Sequence, residues 1–301
     1  MAVATETLQQ GRQAKQGTAE ESQVKTPLDA ALNIVAYVVL TLVALIMFIP
    51  FIFSVTTSVK SLPEANRPLS LSGLFWPQEI VSSAYDKVFD SNIDRWFFNS
   101  VFVAVIWVIG RAFTSSAAGY AFARMEFPGK NIMFLLVLST LMIPGMVTIV
   151  AKFLILRELH LLNTYGAITL PFLADAFGIF LMKQFFESIP LELEEAARVD
   201  GASRYRMFAQ IILPNAMPAL IALAIFSFQG SWNAFLEPLF FINNADLYTL
   251  PLGLAYFRQA NYTEWPTLMA MAVITTVPMA IFYIVFQRWF VDGQVSSGIK
   301  G

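Results

Sequence analysis

In 301 residues the chain carries 57% hydrophobic and only 13% charged side chains, 28 Phe among them, for a formal net charge of -2. An average soluble domain is about 25% charged, and the apolar residues here fall in long blocks instead of amphipathic stripes, so lipid is the expected solvent and a soluble globule is excluded. The near-neutral charge gives no basic field for nucleic acid, the lack of cysteine excludes disulfides and a thiol nucleophile, and a single His160 excludes paired-histidine metal motifs.

Taken in chain order, residues 1–27 are Gln-rich, mixed in charge and poor in large apolar groups, which predicts a disordered tail. The apolar run that follows is too long and starts too late for a cleaved signal peptide, so a retained first span is expected near 32–55. Five further blocks of about 20 residues or more lie near 97–122, 131–153, 164–186, 211–236 and 267–290. Helices are the form such blocks take, because backbone groups in lipid must bond within their own segment. Pro63, Pro68 and Pro77 make the loop at 56–96 irregular, with one short helix. Arg111 and Asp175 fall inside spans, where they either pair or line a wet cavity. His160 reads as a surface residue of a short loop. Pro214, Pro218 and Pro278 are positioned to kink their helices. Residues 28–290 thus form one six-helix transmembrane domain, followed by a tail at 291–301.

Lys and Arg set the orientation. With the N-terminus inside, the inner segments hold eleven (Arg12, Lys15, Lys25, Arg124, Lys130, Lys183, Arg198, Arg204, Arg206, Arg288 and Lys300) and the outer segments seven. Both termini are therefore expected in the cytoplasm. Trp76, Trp96, Trp265 and Trp289 stand at span ends, where indole rings favour the membrane interface.

The inner segment 187–214 is the most informative. Pro190 suits a first helical turn, and Glu192, Glu194 and Glu195 complement the positive end of a helix. Asp200-Gly201 should stop that helix, glycine accepting the left-handed cap, and Ser203 should cap the next one. Ala196 and Ala197 leave one side nearly bare, open to close approach by a partner. By itself this could be an acidic surface loop.

The spacing Glu195-Ala196-Ala197-x3-Gly201-x9-Ile211-x-Leu213-Pro214 resembles the EAA motif of bacterial ABC-importer permeases. Residues 123–130 (ARMEFPGK), 162–165 (LNTY), 232–239 (WNAFLEPL) and the small-residue C-terminus 293–301 are similar to the carbohydrate-uptake branch, in its six-span maltose-transporter type. The resemblance runs from about residue 30 to the end. It departs at Ala151-Lys152-Phe153, where the branch often has a proline, and at Ala84-Tyr85, where it often has Asn.

The resemblance implies an all-α fold of the type I ABC-importer permease, with the short acidic helix as a cytoplasmic coupling helix. Glu195, Ala196, Ala197, Asp200, Gly201, Ile211, Leu213 and Pro214 would form the ATPase-coupling site. It implies a second homologous permease subunit, two ATPase subunits that hold ATP and Mg, an extracytoplasmic solute-binding protein, a carbohydrate solute and an inner-membrane location. This chain would hold no cofactor: it has no G-x-x-x-x-G-K-[S/T] loop, since Gly129-Lys130 precedes Asn131 and lacks the upstream glycine. Gln229, Asn233 and Glu237, four apart, share one helical face beside Trp232 and Phe235. That face either lines the solute path or meets the partner permease, with Glu237 possible at the outer interface. An ion-coupled secondary transporter is the alternative, though no internal repeat of the kind such proteins show is seen. An intramembrane enzyme would need clustered acids and histidines, which are lacking.

Overall fold

The computed structural model describes residues 27–68, 73, 75–258 and 263–298. The tail expected at 1–27 lies outside these residues except for Pro27, which opens the first helix. Among the described residues the secondary structure is entirely helical.

Helix α1 (Pro27–Ser58) contains the first span, Ala31–Ser58, and carries Pro50 internally. Its residues to Phe53 form one compact unit, and Ser54 onward belongs to a second. In that second unit the loop after α1 includes, among the described residues, the short helices α2 (Leu62–Ala65) and α3 (Ser83–Phe89), more than the one expected. Ser58 Oγ and Tyr85 Oη, 2.9 Å apart, join the end of α1 to α3. Helix α4 (Ile93–Arg124) then runs without a break for 32 residues, about 48 Å at 1.5 Å per residue.

The block near 131–153 is not one helix. Helices α5 (Lys130–Thr140) and α6 (Gly145–Glu158) meet at 102°. Pro144 has no N–H to continue the ladder and disfavours the helical region for the residue before it, and its own backbone is extended in ψ (φ -57°, ψ 131°). The next span, Tyr165–Ser188, combines α7 (Tyr165–Thr169), a tight turn at Leu170–Phe172 and α8 (Ala176–Ser188). Helix α9 (Glu192–Val199) is the short acidic helix, and α10 (Arg204–Met207) follows it.

The fifth block is also bent. A π-helical turn at Phe208–Ile212 leads through α11 (Leu213–Asn215) to a 76° corner at Ala216, and α12 (Met217–Trp232) continues. Pro214 and Pro218 flank that corner, as the prolines suggested, and Pro218 lies in the first turn of α12, where its missing N–H is harmless. Helix α12 ends at Trp232, four residues before the expected boundary, and α13 (Leu236–Phe241) and α14 (Leu250–Tyr256) come after it. The last helix, α15 (Trp265–Gly298), encloses Pro278 and extends past the expected end at 290, so that part of the presumed tail is helical; residues 299–301 lie outside the described set.

Helices α4 and α8 pack at glycines. A β-carbon on Gly119 would lie 2.8 Å from Met182 Cβ and 3.0 Å from the Lys183 nitrogen, and one on Gly178 would overlap the Ser115 hydroxyl. Small residues allow this approach where the hydrophobic effect cannot drive association. At the Ile93 end, Trp96 is 2% exposed, packed on Gly253 and donating from Nε1 to the Ala245 carbonyl at 2.8 Å. It is therefore core, not the interfacial ring expected; Trp76 and Trp265 are exposed. Trp289 lies where no side chain is described.

Candidate functional site

Helix α9 is built as its sequence suggests, with one shift. Leu191 accepts the first bonds, from the Glu194 and Glu195 N–H groups, so Pro190 stands just before the helix and not in its first turn. At the other end Gly201 has φ +78°, its N–H donates to Arg198 O and that of Ala202 to Ala197 O. This is the Schellman closure, for which the left-handed residue is required. Ser203 Oγ accepts the Arg206 N–H at 3.3 Å and caps α10.

The EAA-like positions divide by exposure. Glu195, Ala196, Asp200, Gly201 and Pro214 face outward, while Ala197 is buried and Ile211 and Leu213 pack on the cluster of Tyr120, Phe186 and Ile212. The bare alanine side expected of α9 is thus only half available: Ala196 is free, but Ala197 seats the helix on the bundle.

The other buried side chain of α9 is Glu194, one turn before Ala197. It is 3% exposed, and its Oε1 lies 2.8 Å from Arg124 Nε at the end of α4. Arg124 also donates from its terminal nitrogen to the Ile189 carbonyl at 2.5 Å, and the Tyr120 hydroxyl stands 3.5 Å from Glu194 Oε2. Sequence reasoning assigned Glu194 only to the helix dipole. Nothing in a run of three glutamates tells which one turns inward; the i, i+3 spacing of Glu194 and Ala197 was the available hint. Breaking such a pair by removing one partner costs about 3–5 kcal/mol, because it strands a buried charge.

The polar face proposed for the solute path is not continuous. Gln229 and Asn233 are both exposed and one turn apart, the Asn233 N–H bonding Gln229 O, with exposed Gly230 beside them. The helix stops at Trp232, so the period of four does not reach Glu237, which sits on α13. Glu237 instead faces Lys152 of α6 at 3.7 Å, a pairing not foreseen. Trp232 is 2% exposed, stacked on Phe228 and donating to the Thr275 carbonyl at 3.2 Å. It packs the core and presents no stacking surface.

Behind this face a ladder of rings and cations crosses the bundle. Arg111 lies 4.5 Å over the Trp107 ring, Trp107 stacks on Phe172 at 4.5 Å, and Lys152 lies 4.7 Å over Phe172. Cations over desolvated rings gain about 2 kcal/mol. Arg111 and Asp175 do not form an ion pair. Arg111 Nε donates to the Phe172 carbonyl at 2.8 Å, and Asp175 caps α8 by accepting the Gly178 N–H at 2.9 Å. His160 has φ +54° in the turn after α6. Among the described residues no cluster of His, Asp and Glu could hold a metal ion.

The chain resembles known transport proteins along most of its length. The arabinooligosaccharides transport system permease protein AraQ of Halalkalibacterium halodurans is 40% identical over 206 residues, 68% of this chain and 74% of that one. The diacetylchitobiose uptake system permease protein NgcG of Streptomyces coelicolor is 35% identical over 88% of this chain and 87% of its own. The sn-glycerol-3-phosphate transport system permease protein UgpE of Brucella abortus is 30% identical over 88% and 96%. In three dimensions the fold matches a chain from the crystal structure of a bacterial ABC transporter that imports the acidic polysaccharide alginate, with a TM-score of 0.78 and 25% identity over 88% of this chain and 98% of that one. The architecture is that of an ABC-importer permease. A family model matches residues 115–294, from the last third of α4 to near the end of α15, and on that match the chain belongs to the binding-protein-dependent transport system inner membrane component family.

Proposed function

We propose that this chain forms part of the translocation pathway for a carbohydrate, a sugar, an oligosaccharide or a glycerol-phosphate-type solute, in an ABC importer of the inner membrane. The names of the relatives support that solute class: arabino-oligosaccharides, diacetylchitobiose, glycerol 3-phosphate and alginate are all polyhydroxylated. In this reading both termini and α9 are cytoplasmic, α9 docks on one of two ATPase subunits that hold ATP and Mg, a second homologous permease completes the path, and a solute-binding protein delivers to the outer mouth. Glu195, Ala196, Asp200 and Gly201 form the docking face; Ala197, Ile211 and Leu213 seat it. Gln229 and Asn233 line the path, where amides suit sugar hydroxyls. Glu237 is held by Lys152 at the side of it. Membership of this family displaces the ion-coupled transporter considered from sequence.

The observation that carries the coupling assignment is the exposure of one face of α9 beside a glycine-closed turn, at the EAA spacing. The test is uptake by proteoliposomes that contain this chain with its partner permease, ATPase and binding protein. Uptake should require ATP inside the ATPase-bearing compartment, and no ion gradient. Uptake that runs on a proton or sodium gradient without ATP would overturn the reading.

A further inference from the structure

Helix α9 touches the rest of the chain through very little. Leu191, Glu192, Leu193, Glu195, Ala196, Arg198 and Val199 are exposed, and only Glu194 and Ala197 turn inward. Ala197 contributes one methyl group. Glu194 makes the polar contact, to Arg124, and Arg124 also binds the Ile189 carbonyl just before α9. Apart from the chain itself, a force on the exposed face of α9 reaches the bundle mainly through that ion pair.

The receiving element is suited to carry it. Arg124 is the last residue of α4, where a cation complements the negative helix end, and α4 is unbroken to Ile93. Its far end is fastened to the segment after α13: Trp96 to Ala245 O, Asn99 to Asp246 O and Tyr248 O, and Ser100 to the Leu250 N–H. The broken spans α5–α6 and α10–α12 offer no such straight rod.

We propose that the Glu194–Arg124 ion pair is the joint through which displacement of α9 is passed to α4, so that Glu194 and Arg124 are positioning residues for transport. The inference rests on the reading of α9 as the ATPase-docking helix. A buried ion pair resists separation as well as compression, and so it serves both strokes of a reversible cycle.

The experiment replaces the pair by apolar groups of similar size, Glu194→Leu with Arg124→Met, in the complete reconstituted complex. Removing both charges avoids stranding one, and such replacements are often tolerated. The amount of assembled complex and its basal ATP hydrolysis should be unchanged, while solute moved per ATP hydrolysed should fall about tenfold, a usual size for coupling between sites. The chain has no cysteine, so spin labels at Val199→Cys on α9 and Phe113→Cys on α4, both exposed, report the joint directly. Their separation should stay constant with and without ATP in the native pair and become nucleotide-dependent in the apolar one. Should the apolar pair transport at the native yield per ATP, or the native separation vary with ATP as much as the apolar one, the joint is overturned while ATP-driven uptake stands. Absence of ATP-driven uptake in the unsubstituted complex would instead overturn the docking reading and the joint with it.

Discussion

The two ends of α4 are fastened by opposite means. At the Ile93 end the holding groups are neutral and many: the Trp96 indole, the Asn99 amide and the Tyr165 hydroxyl bond backbone and one another at 2.6–2.9 Å, and charged pairs stay outside, as with Arg95 and Asp246, 54% and 47% exposed at 3.3 Å. At the Arg124 end one ion pair is taken inside, with side chains 12% and 4% exposed. A web of neutral bonds loses about 1 kcal/mol per member and so weakens by degrees. A buried pair concentrates the fastening in two residues, and fails all at once. The Ile93 end is built as an anchor, the Arg124 end as a joint.

The sharpest way to break this contrast is at the joint. Arg124→Ala leaves Glu194 buried with only the distant Tyr120 hydroxyl near it, and should destabilise the folded protein by about 3–5 kcal/mol. Thermal unfolding in detergent, or protein yield in the membrane, reads the effect. A loss no larger than that of an exposed arginine such as Arg95→Ala would show that the two ends are not different in kind.

At the anchor the corresponding weak point is not a charge but a contact. A β-carbon at Gly253 would run into the Trp96 ring, buried at 2% exposure between α4 and α14. Gly253→Ala should therefore cost about 1–3 kcal/mol as an overpacked core does. The paired change Trp96→Phe, which shortens the ring, should return part of it. An additive double variant would mean the clash lies elsewhere.

These two ends also mark how far the sequence could be read. The spans were legible because lipid demands long apolar blocks, and the turn at Gly201 because few other residues accept φ +78°. The break between α5 and α6 was legible in principle, in Ile143-Pro144-Gly145, but block hydropathy runs across a proline without a dip. Trp96 was misplaced for a different reason: an indole at a span end favours the interface equally whether it faces lipid or a neighbouring helix, and only the facing Gly253, 157 positions away, decides. Partners far apart in the chain, Glu194 with Arg124 and Lys152 with Glu237, leave no local pattern at all. The polar stripe Gln229–Asn233–Glu237 failed at its last member because the helix period was extended past a point where the helix stops.

Smaller again in expected size is the turn beside α9. Apart from Gly201 itself and its two chain neighbours, no atom lies within 4 Å of where a Gly201 β-carbon would stand, so Gly201→Val strains the local backbone, by about 1–2 kcal/mol. The protein should still insert and fold, but the closure of α9 should loosen and uptake per ATP should drop with it. Native coupling in the Gly201→Val complex would remove the turn from the mechanism and leave the ion pair as the transmitting contact.

The smallest effect belongs to the outermost tie on the anchor side. Lys87 of α3 donates to Glu264, just before α15, at 2.6 Å. That bond, helped by one from Thr267 and opposed by partial burial, holds the Glu264 carboxyl below the ordinary 4.5. A carboxylate with a depressed pKa contributes stability that is complete above its unfolded value and is lost as pH falls through the folded one. The contribution is therefore present at pH 6 and disappears on acidification below about 4.5. With Lys87 55% and Glu264 31% exposed, it amounts to well under ~1 kcal/mol and salt screens it. Melting curves of the native protein and Glu264→Gln should differ slightly at pH 6 in low salt, and converge at acid pH or on raising the salt. Because Arg124 and Glu194 are shielded from solvent, the penalty of Arg124→Ala should barely respond to the same addition of salt. A salt response of equal size at both sites would erase the distinction between joint and anchor.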